Sequence, residues 1–322
     1  MPTKLKREEV SAERATVAAL LAQANDVGDL LGARQFERRL RALDAEMVEL
    51  GQVQERKASA ALFFGGPKVA GSRGIEAEFA GEALERFQDL VSKSFARREL
   101  GNLAARGRVP IRSDSKLMVT AVTRGSFGFV LEEVGDQEEA LRTQLNEVVG
   151  DVVDFVAQVS DPAEEVFLEA VADVDARTLI AIREFFNTLS GAQATLRIVE
   201  GDREVALGRD DVQRGKERTE GLEVTETESV RLRGLLLGLL PVHRRFEFVL
   251  EGEVEAISGK VAADASRALG DQVLVGQHPV GRRWEAEFDV REVTRPGRPA
   301  RRFYTLLSLI RELEEPAGPA AE

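Results

Sequence analysis

Residues 230–250 read VRLRGLLLGLLPVHRRFEFVL, and the fold turns on how that stretch is taken. Val230-Arg231-Leu232-Arg233 alternates apolar and charged residues, the period of a half-buried strand. Gly234 and Gly238 stand inside the apolar run that follows, where glycine weakens a strand but lets it bend sharply. Pro241 and His243 turn the chain, and Phe246-Glu247-Phe248-Val249-Leu250 then alternates again. A long bent strand followed at once by a second one predicts a small β-barrel rather than a flat sheet.

The sequence downstream continues in the same idiom. Apolar, β-rich segments lie at 254–261, 272–275, 284–293 and 303–310, with room for one short helix at 262–269. Three strands, a short helix and further strands match the order of an OB-like barrel with one extra strand at its end. An SH3-like barrel or a small sandwich gives a similar pattern, so strand order alone leaves these open. Charge adds an asymmetry. The whole chain is −12, yet residues 229–311 hold fourteen Lys and Arg against ten Asp and Glu, a net +4.

Upstream the chain changes character. Residues 209–229 are polar and charged, and 222–229 reads as a linker, which sets a domain boundary there. Before it lies a mixed region. Ala60-Ala61-Leu62-Phe63-Phe64 predicts a buried strand ended by Gly65-Gly66-Pro67. A helix over 75–100 turns Phe79, Ala83, Phe87, Leu90, Val91 and Phe95 inward. Segments 116–123 and 127–134 predict a hairpin around Arg124-Gly125-Ser126. Three helices follow, the first striped by Leu141, Leu145, Val148, Val152, Phe155 and Val159. The second is started by Asp161-Pro162, proline being tolerated in a first turn. The third carries Leu179, Ile182, Phe185, Phe186 and Leu189, and two short strands turn at Gly201-Asp202.

The first fifty residues predict two helices. In the second, Ala33, Phe36, Leu40, Leu43, Met47 and Leu50 recur at alternating three- and four-residue steps, an apolar seam with coiled-coil spacing. The seam closes either a helical hairpin within the chain or an interface with a partner protein or a second copy through residues 30–50. The expected architecture is therefore α+β in three parts: a helical hairpin (1–52), a mixed α/β body (53–222) and a small OB-like barrel (229–311). A disordered acidic tail (312–322) follows.

Several chemistries are excluded by counting. There is no cysteine and there are two histidines in 322 residues. Disulfides, thiolate zinc, iron–sulfur clusters and three-histidine metal sites are impossible within one chain. No metal site and no cofactor is expected. No apolar run approaches the ~20 residues that span a bilayer, so no membrane contact is expected either, and the simplest location is a bacterial-type cytoplasm.

Candidate sites are few. Arg295, Arg298, Arg301 and Arg302 crowd one turn beside Phe303 and Tyr304, while Arg282 and Arg283 precede Trp284, the single tryptophan. Guanidinium groups beside aromatic faces suit single-stranded nucleic acid, although a solvated hairpin with core aromatics explains the same residues. The glycine-rich segment 65–74 lies between a strand and a helix, and Lys68, Ser72 and Arg73 could bind an anion at the helix start. It does not match GxxxxGK[ST], and a loop that only turns the chain reads equally well. Gly125-Ser126-Phe127-Gly128 reads as a turn rather than a nucleophile. Glu55-Arg56-Lys57 and Asp114-Ser115-Lys116 have the local spacing of a metal-dependent nuclease. His243 and His278 read as exposed turn residues. The expected role is a non-enzymatic binding or scaffold protein, with a phosphate-substrate enzyme acting at 65–76 as the alternative.

Overall fold

The computed structural model describes residues 1–52, 55–100, 107–123, 127–135, 142–172, 174–274 and 278–313. The chain is mixed helix and strand, 48% and 31%, which fixes the α+β class. It divides into two compact units, Met1–Glu220 and Gly221–Glu322. No helix among the described residues is long and apolar enough to cross a membrane.

The first unit is built on a five-stranded antiparallel sheet of order β2-β3-β1-β4-β5. Its strands are β1 (Ser59–Gly65), β2 (Met118–Thr123), β3 (Phe127–Glu132), β4 (Thr195–Glu200) and β5 (Arg203–Leu207). β1 is central and buried on both faces, which explains its unbroken apolar run. Its alternate residues serve two cores. Phe64 meets Phe79 of α3 (Ala77–Leu100) edge-on at 5.5 Å. Ala61 and Phe63 instead pack with Val130, Val199 and Leu5, the last from α1 (Thr3–Asp26).

Helices α4 (Gln144–Ser160), α5 (Glu164–Ala172), α6 (Ala176–Gly191) and α7 (Arg209–Thr219) complete this unit. Phe87 of α3 and Phe185 of α6 meet at a tilt, ring centres 6.1 Å apart, in the helical layer. Leu141, read as part of the α4 stripe, lies outside the described residues. So do Arg124-Gly125-Ser126, although the two strands around them pair as expected.

α2 (Leu30–Gln52) turns its seam toward α1. Leu43 is fully buried with Val10 and Val17, and Phe36, Leu40, Met47 and Leu50 pack against the same cluster. Arg14–Asp44 (2.6 Å) and Arg39–Glu13 (2.6 Å) bridge the two helices. The apolar seam is therefore covered by the chain's own first helix, and residues 1–52 belong to the same compact unit as the sheet.

The second unit is a closed barrel of five strands, order β10-β8-β7-β6-β9. They are β6 (Glu223–Leu240), β7 (Arg245–Leu250), β8 (Ala256–Val261), β9 (Arg283–Arg295) and β10 (Arg298–Leu313). β8 and β10 run parallel; the other neighbours are antiparallel. The helix α8 (Ala263–Leu274) stands between β8 and β9 and adds Ala265 and Leu269 to a core of Phe246, Phe248, Phe288 and Leu306.

Three expectations are corrected here. The stretch read as a linker, 222–229, is the start of β6, which pairs with β9 from Glu223 onward. Residues Gln272–Leu274, read as a strand, continue α8, and the barrel has five strands among the described residues. Glu312 and Leu313, assigned to the tail, end β10; 314–322 lie outside the described residues. Including the three glutamates of β6 and the four at 312–322 also removes the charge asymmetry. Residues 221–322 hold fourteen Lys and Arg against seventeen Asp and Glu, a net −3.

Candidate functional site

The glycine-rich segment is a folded turn with its own ladder. Gly66 has φ +117° and passes so close to Gln193 that a Cβ would lie 2.7 Å from that carbonyl oxygen. The amides of Val69 and Ala70 donate to Gly66 O (3.1 Å) and Gly74 O (2.8 Å), and those of Arg73 and Glu76 donate to Ala70 O (3.1 Å) and Lys68 O (2.9 Å). These four donors are therefore engaged inside the turn and do not face outward as an anion cradle. The first turn of α3 then presents Glu78, the charge its dipole favours.

The three residues proposed for anion binding are separated. Lys68 pairs with Glu76 at 2.7 Å, and that hydrogen bond raises its pKa above the usual lysine value. It lines a groove of about 460 Å³ between the start of α3 and the end of α6. Inside that groove Arg86 meets Glu184 (2.7 Å), and Thr188 donates to Glu82 (3.0 Å). Ser72 and Arg73 instead border a second cleft, about 540 Å³, whose far wall is Val122, Thr123 and Phe127.

That second cleft runs along an unusual edge. Among the described residues β2 pairs with β3 only and ends the sheet. Met118, Val119 and Val122 are 55%, 49% and 54% exposed. The strand contains no charge and no proline between Met118 and Thr123, the devices that ordinarily keep an edge from pairing. Lys116 stands just before it and Arg73 beside its far end. Neither side chain has a hydrogen-bond or ion-pair partner among the described residues. Elsewhere in this unit, cations such as Arg86, Arg98, Arg197 and Arg203 are paired.

Several of the barrel arginines named as candidates are paired. Arg282 pairs with Glu312 (3.0 Å), Arg283 with Glu251 (2.5 Å) and Arg302 with Glu292 (2.7 Å). Glu285 receives both Arg233 (3.2 Å) and Arg311 (3.1 Å), and its pKa is lowered chiefly by the Arg233 hydrogen bond. Arg301 lies over the Phe303 ring at 5.8 Å. Arg295 and Arg298 are engaged as well. Trp284 donates Nε1–H to Pro279 O (2.9 Å) and packs on the barrel core, and Tyr304 meets Phe288 edge-on at 6.4 Å. The two arginine groups also sit at opposite ends of the β9–β10 ladder, where Arg283 faces Leu313 and Arg295 faces Arg298. At ~3.3 Å per residue that is about 40 Å along the strand.

The remaining candidates fall into structural roles. Lys57 Nζ donates to Gly135 O (2.7 Å), Glu55 accepts from the Thr3 amide, and Asp114 accepts from Ser113 (2.8 Å). No group of three His, Cys, Asp or Glu suited to a metal occurs among the described residues. His243 and His278 are exposed. Gly125 and Ser126 lie outside the described residues. Neither protein-family models nor curated proteins nor solved structures give a match to this chain.

Proposed function

We propose that the chain is a non-enzymatic binding protein, acting in a bacterial-type cytoplasm, that takes an extended segment of a partner protein along β2. The carrying observation is the open, uncharged apolar edge of β2 with unpartnered Lys116 and Arg73 at its two ends. Strand addition supplies main-chain hydrogen bonds for affinity, and side pockets supply specificity. The cleft beside Val122 and Phe127 is such a pocket, and Arg73 at its rim favours an acidic group on the incoming strand. A second copy added antiparallel sets Lys116 against Arg73, like charge on like. The geometry therefore favours a foreign acidic segment over self-pairing, and it moves the partner surface from 30–50 to the sheet edge.

The test is fluorescence anisotropy with labelled peptides of alternating Val and Thr carrying two Glu or two Lys at one end. The acidic peptide is expected to bind at least about tenfold tighter, a difference of ~1.4 kcal/mol. Arg73→Glu should reverse that preference, and Val122→Lys should abolish binding; both positions are exposed, so folding is retained. Equal binding of both peptides, or binding unaffected by Val122→Lys, sinks the reading.

A second reading concerns the barrel. Its order, with three meandering strands, a helix, and a parallel β8–β10 closure, favours the OB-like assignment and with it single-stranded nucleic acid. The paired arginines leave that reading resting on strand order. A gel shift with oligonucleotides at low salt tests it, and absence of binding there removes it. We retain a helical-hairpin reading of α1 and α2 on the same footing. Nothing in the hydrogen bonding of the 65–76 segment favours the phosphate-substrate alternative.

A further inference from the structure

α2 carries a second ordered row besides the seam that α1 covers. Leu30, Arg34, Glu37, Arg41, Asp44 and Val48 recur at alternating four- and three-residue steps, the spacing that keeps a row on one side of a helix. At about 100° per residue this row lies about 110° around the axis from the seam, so a further helix can lie on it without displacing α1. All six residues are exposed. The two apolar ones, Leu30 at 78% and Val48 at 63%, stand at opposite ends of the row.

The charges along the row are little used within the chain. The side chains of Arg34 and Glu37 have no hydrogen-bond or ion-pair partner among the described residues. Arg41 donates only to the Glu37 carbonyl of its own helix, at 3.4 Å. Asp44 accepts from Arg14 through Oδ1 (2.6 Å), which leaves Oδ2 for another donor. From end to end the row runs apolar, positive, negative, positive, negative, apolar. Turned end for end, it complements itself.

We infer that two copies of the chain associate through this row, as an antiparallel α2–α2 pair. Leu30 then meets Val48 of the second copy, Arg34 meets its Asp44 and Glu37 meets its Arg41. A two-fold axis midway along the row repeats each contact. A parallel pair would set Arg34 on Arg34 and Glu37 on Glu37, like charge on like. Sliding the antiparallel pair by seven residues puts an apolar end against a charge. Orientation and register are thus both specified. One helix pair buries less than the ~800 Å² per partner of a stable interface, so the dimer is weak, half formed at roughly 10–100 μM. The contact does not involve β2 and does not depend on the peptide reading.

The experiment is sedimentation equilibrium of the full chain at low salt, from about 1 to 300 μM. A monomer–dimer equilibrium is expected, weakening as salt is raised. Glu37→Arg alone and Arg41→Glu alone each oppose like charges at two contacts, and each should weaken self-association at least about tenfold. Mixed one to one, these two variants are complementary at both contacts and should associate as the parent does. The double variant Glu37→Arg/Arg41→Glu should self-associate again for the same reason. Both positions are exposed, and recovery on mixing also shows that both single variants are folded. A parent that stays monomeric throughout, single variants that still self-associate, or a mixture that recovers nothing overturns the inference. Val122→Lys should leave the dimer intact; its loss there would assign self-association to β2 and overturn the α2 contact.

Discussion

A methyl group at Gly234 would sit 2.0 Å from the carbonyl oxygen of Val249 and 2.5 Å from the Phe248 ring. At Gly259 it would lie 2.1 Å from Tyr304 O. Both obstacles are backbone, which cannot swing aside, so these glycines let neighbouring strands close to barrel distance. Gly238 differs, with nothing nearer than Glu247 Oε2 at 3.4 Å. Gly234→Ala and Gly259→Ala should each cost on the order of 3 kcal/mol, and Gly238→Ala should be neutral or gain up to ~1 kcal/mol. Urea midpoints would measure this; equal effects at all three positions would count against the steric account. The sequence showed that glycines bend β6 but not which of them is irreplaceable, because the obstructing atoms belong to β7 and β10. The pairing of the arginines was hidden for the same reason. Arg282 to Glu312 and Arg283 to Glu251 are pairs set by strand register, and their members lie about thirty residues apart in the chain.

Among the elements, α1 is tied to the sheet by charge as well as by Leu5. Lys4 meets Glu204 at 2.7 Å, while Arg197 bridges Glu204 (2.9 Å) and Glu8 (3.1 Å) and lies over the Phe63 ring at 5.0 Å. The Arg197 hydrogen bond, then that of Lys4, lowers the Glu204 pKa from 4.5 to about 2. A carboxyl whose folded pKa is depressed gives stability that is whole above the unfolded value. It is lost as pH falls from 4.5 toward 2. Glu204→Gln should therefore be less stable at pH 7, by about 1 kcal/mol as befits a partly solvated pair, and its deficit should vanish near pH 2. Burial acts oppositely on Glu200, raising its pKa, so that group favours the folded state as it takes up a proton. Denaturant titrations at pH 7, 4 and 2 would check this, and a deficit unchanged across that range would refute it. Strands with apolar periodicity, β1 above all, were legible in sequence. The first half of β6 was not, because Glu223, Thr225 and Thr227 are exposed and a backbone ladder with β9 holds them. Hydrophobic patterning does not register that ladder. Residues 272–274 misled in the other direction: local β-branching at Val273 was overridden by continuation of α8.

At the scale of the molecule, the chain divides into two units between Glu220 and Gly221, and the sequence changes character near residue 225. Each unit closes its own core, one around β1 and one around Phe288. A fragment of residues 221–313 should therefore fold by itself. Circular dichroism of a strand-rich form with a single cooperative melt would show it, and a fragment without cooperative melting would refute independent folding. Residues 1–220 should do likewise. Net charge was the poorer guide, since three glutamates at the start of β6, Glu223, Glu226 and Glu228, and four more at 312–322 together reverse the sign assigned to the barrel.

The barrel closes where β10 slots between β8 and β9, and β10 is the last of its strands in the chain. Synthesis proceeds from the N-terminus, and domains tend to fold as they emerge. The first unit has all its strands by Leu207 and can consolidate on the ribosome. The second waits with open edges on β8 and β9 until Leu313 is clear of the exit tunnel, and that interval is when a chaperone has something to hold.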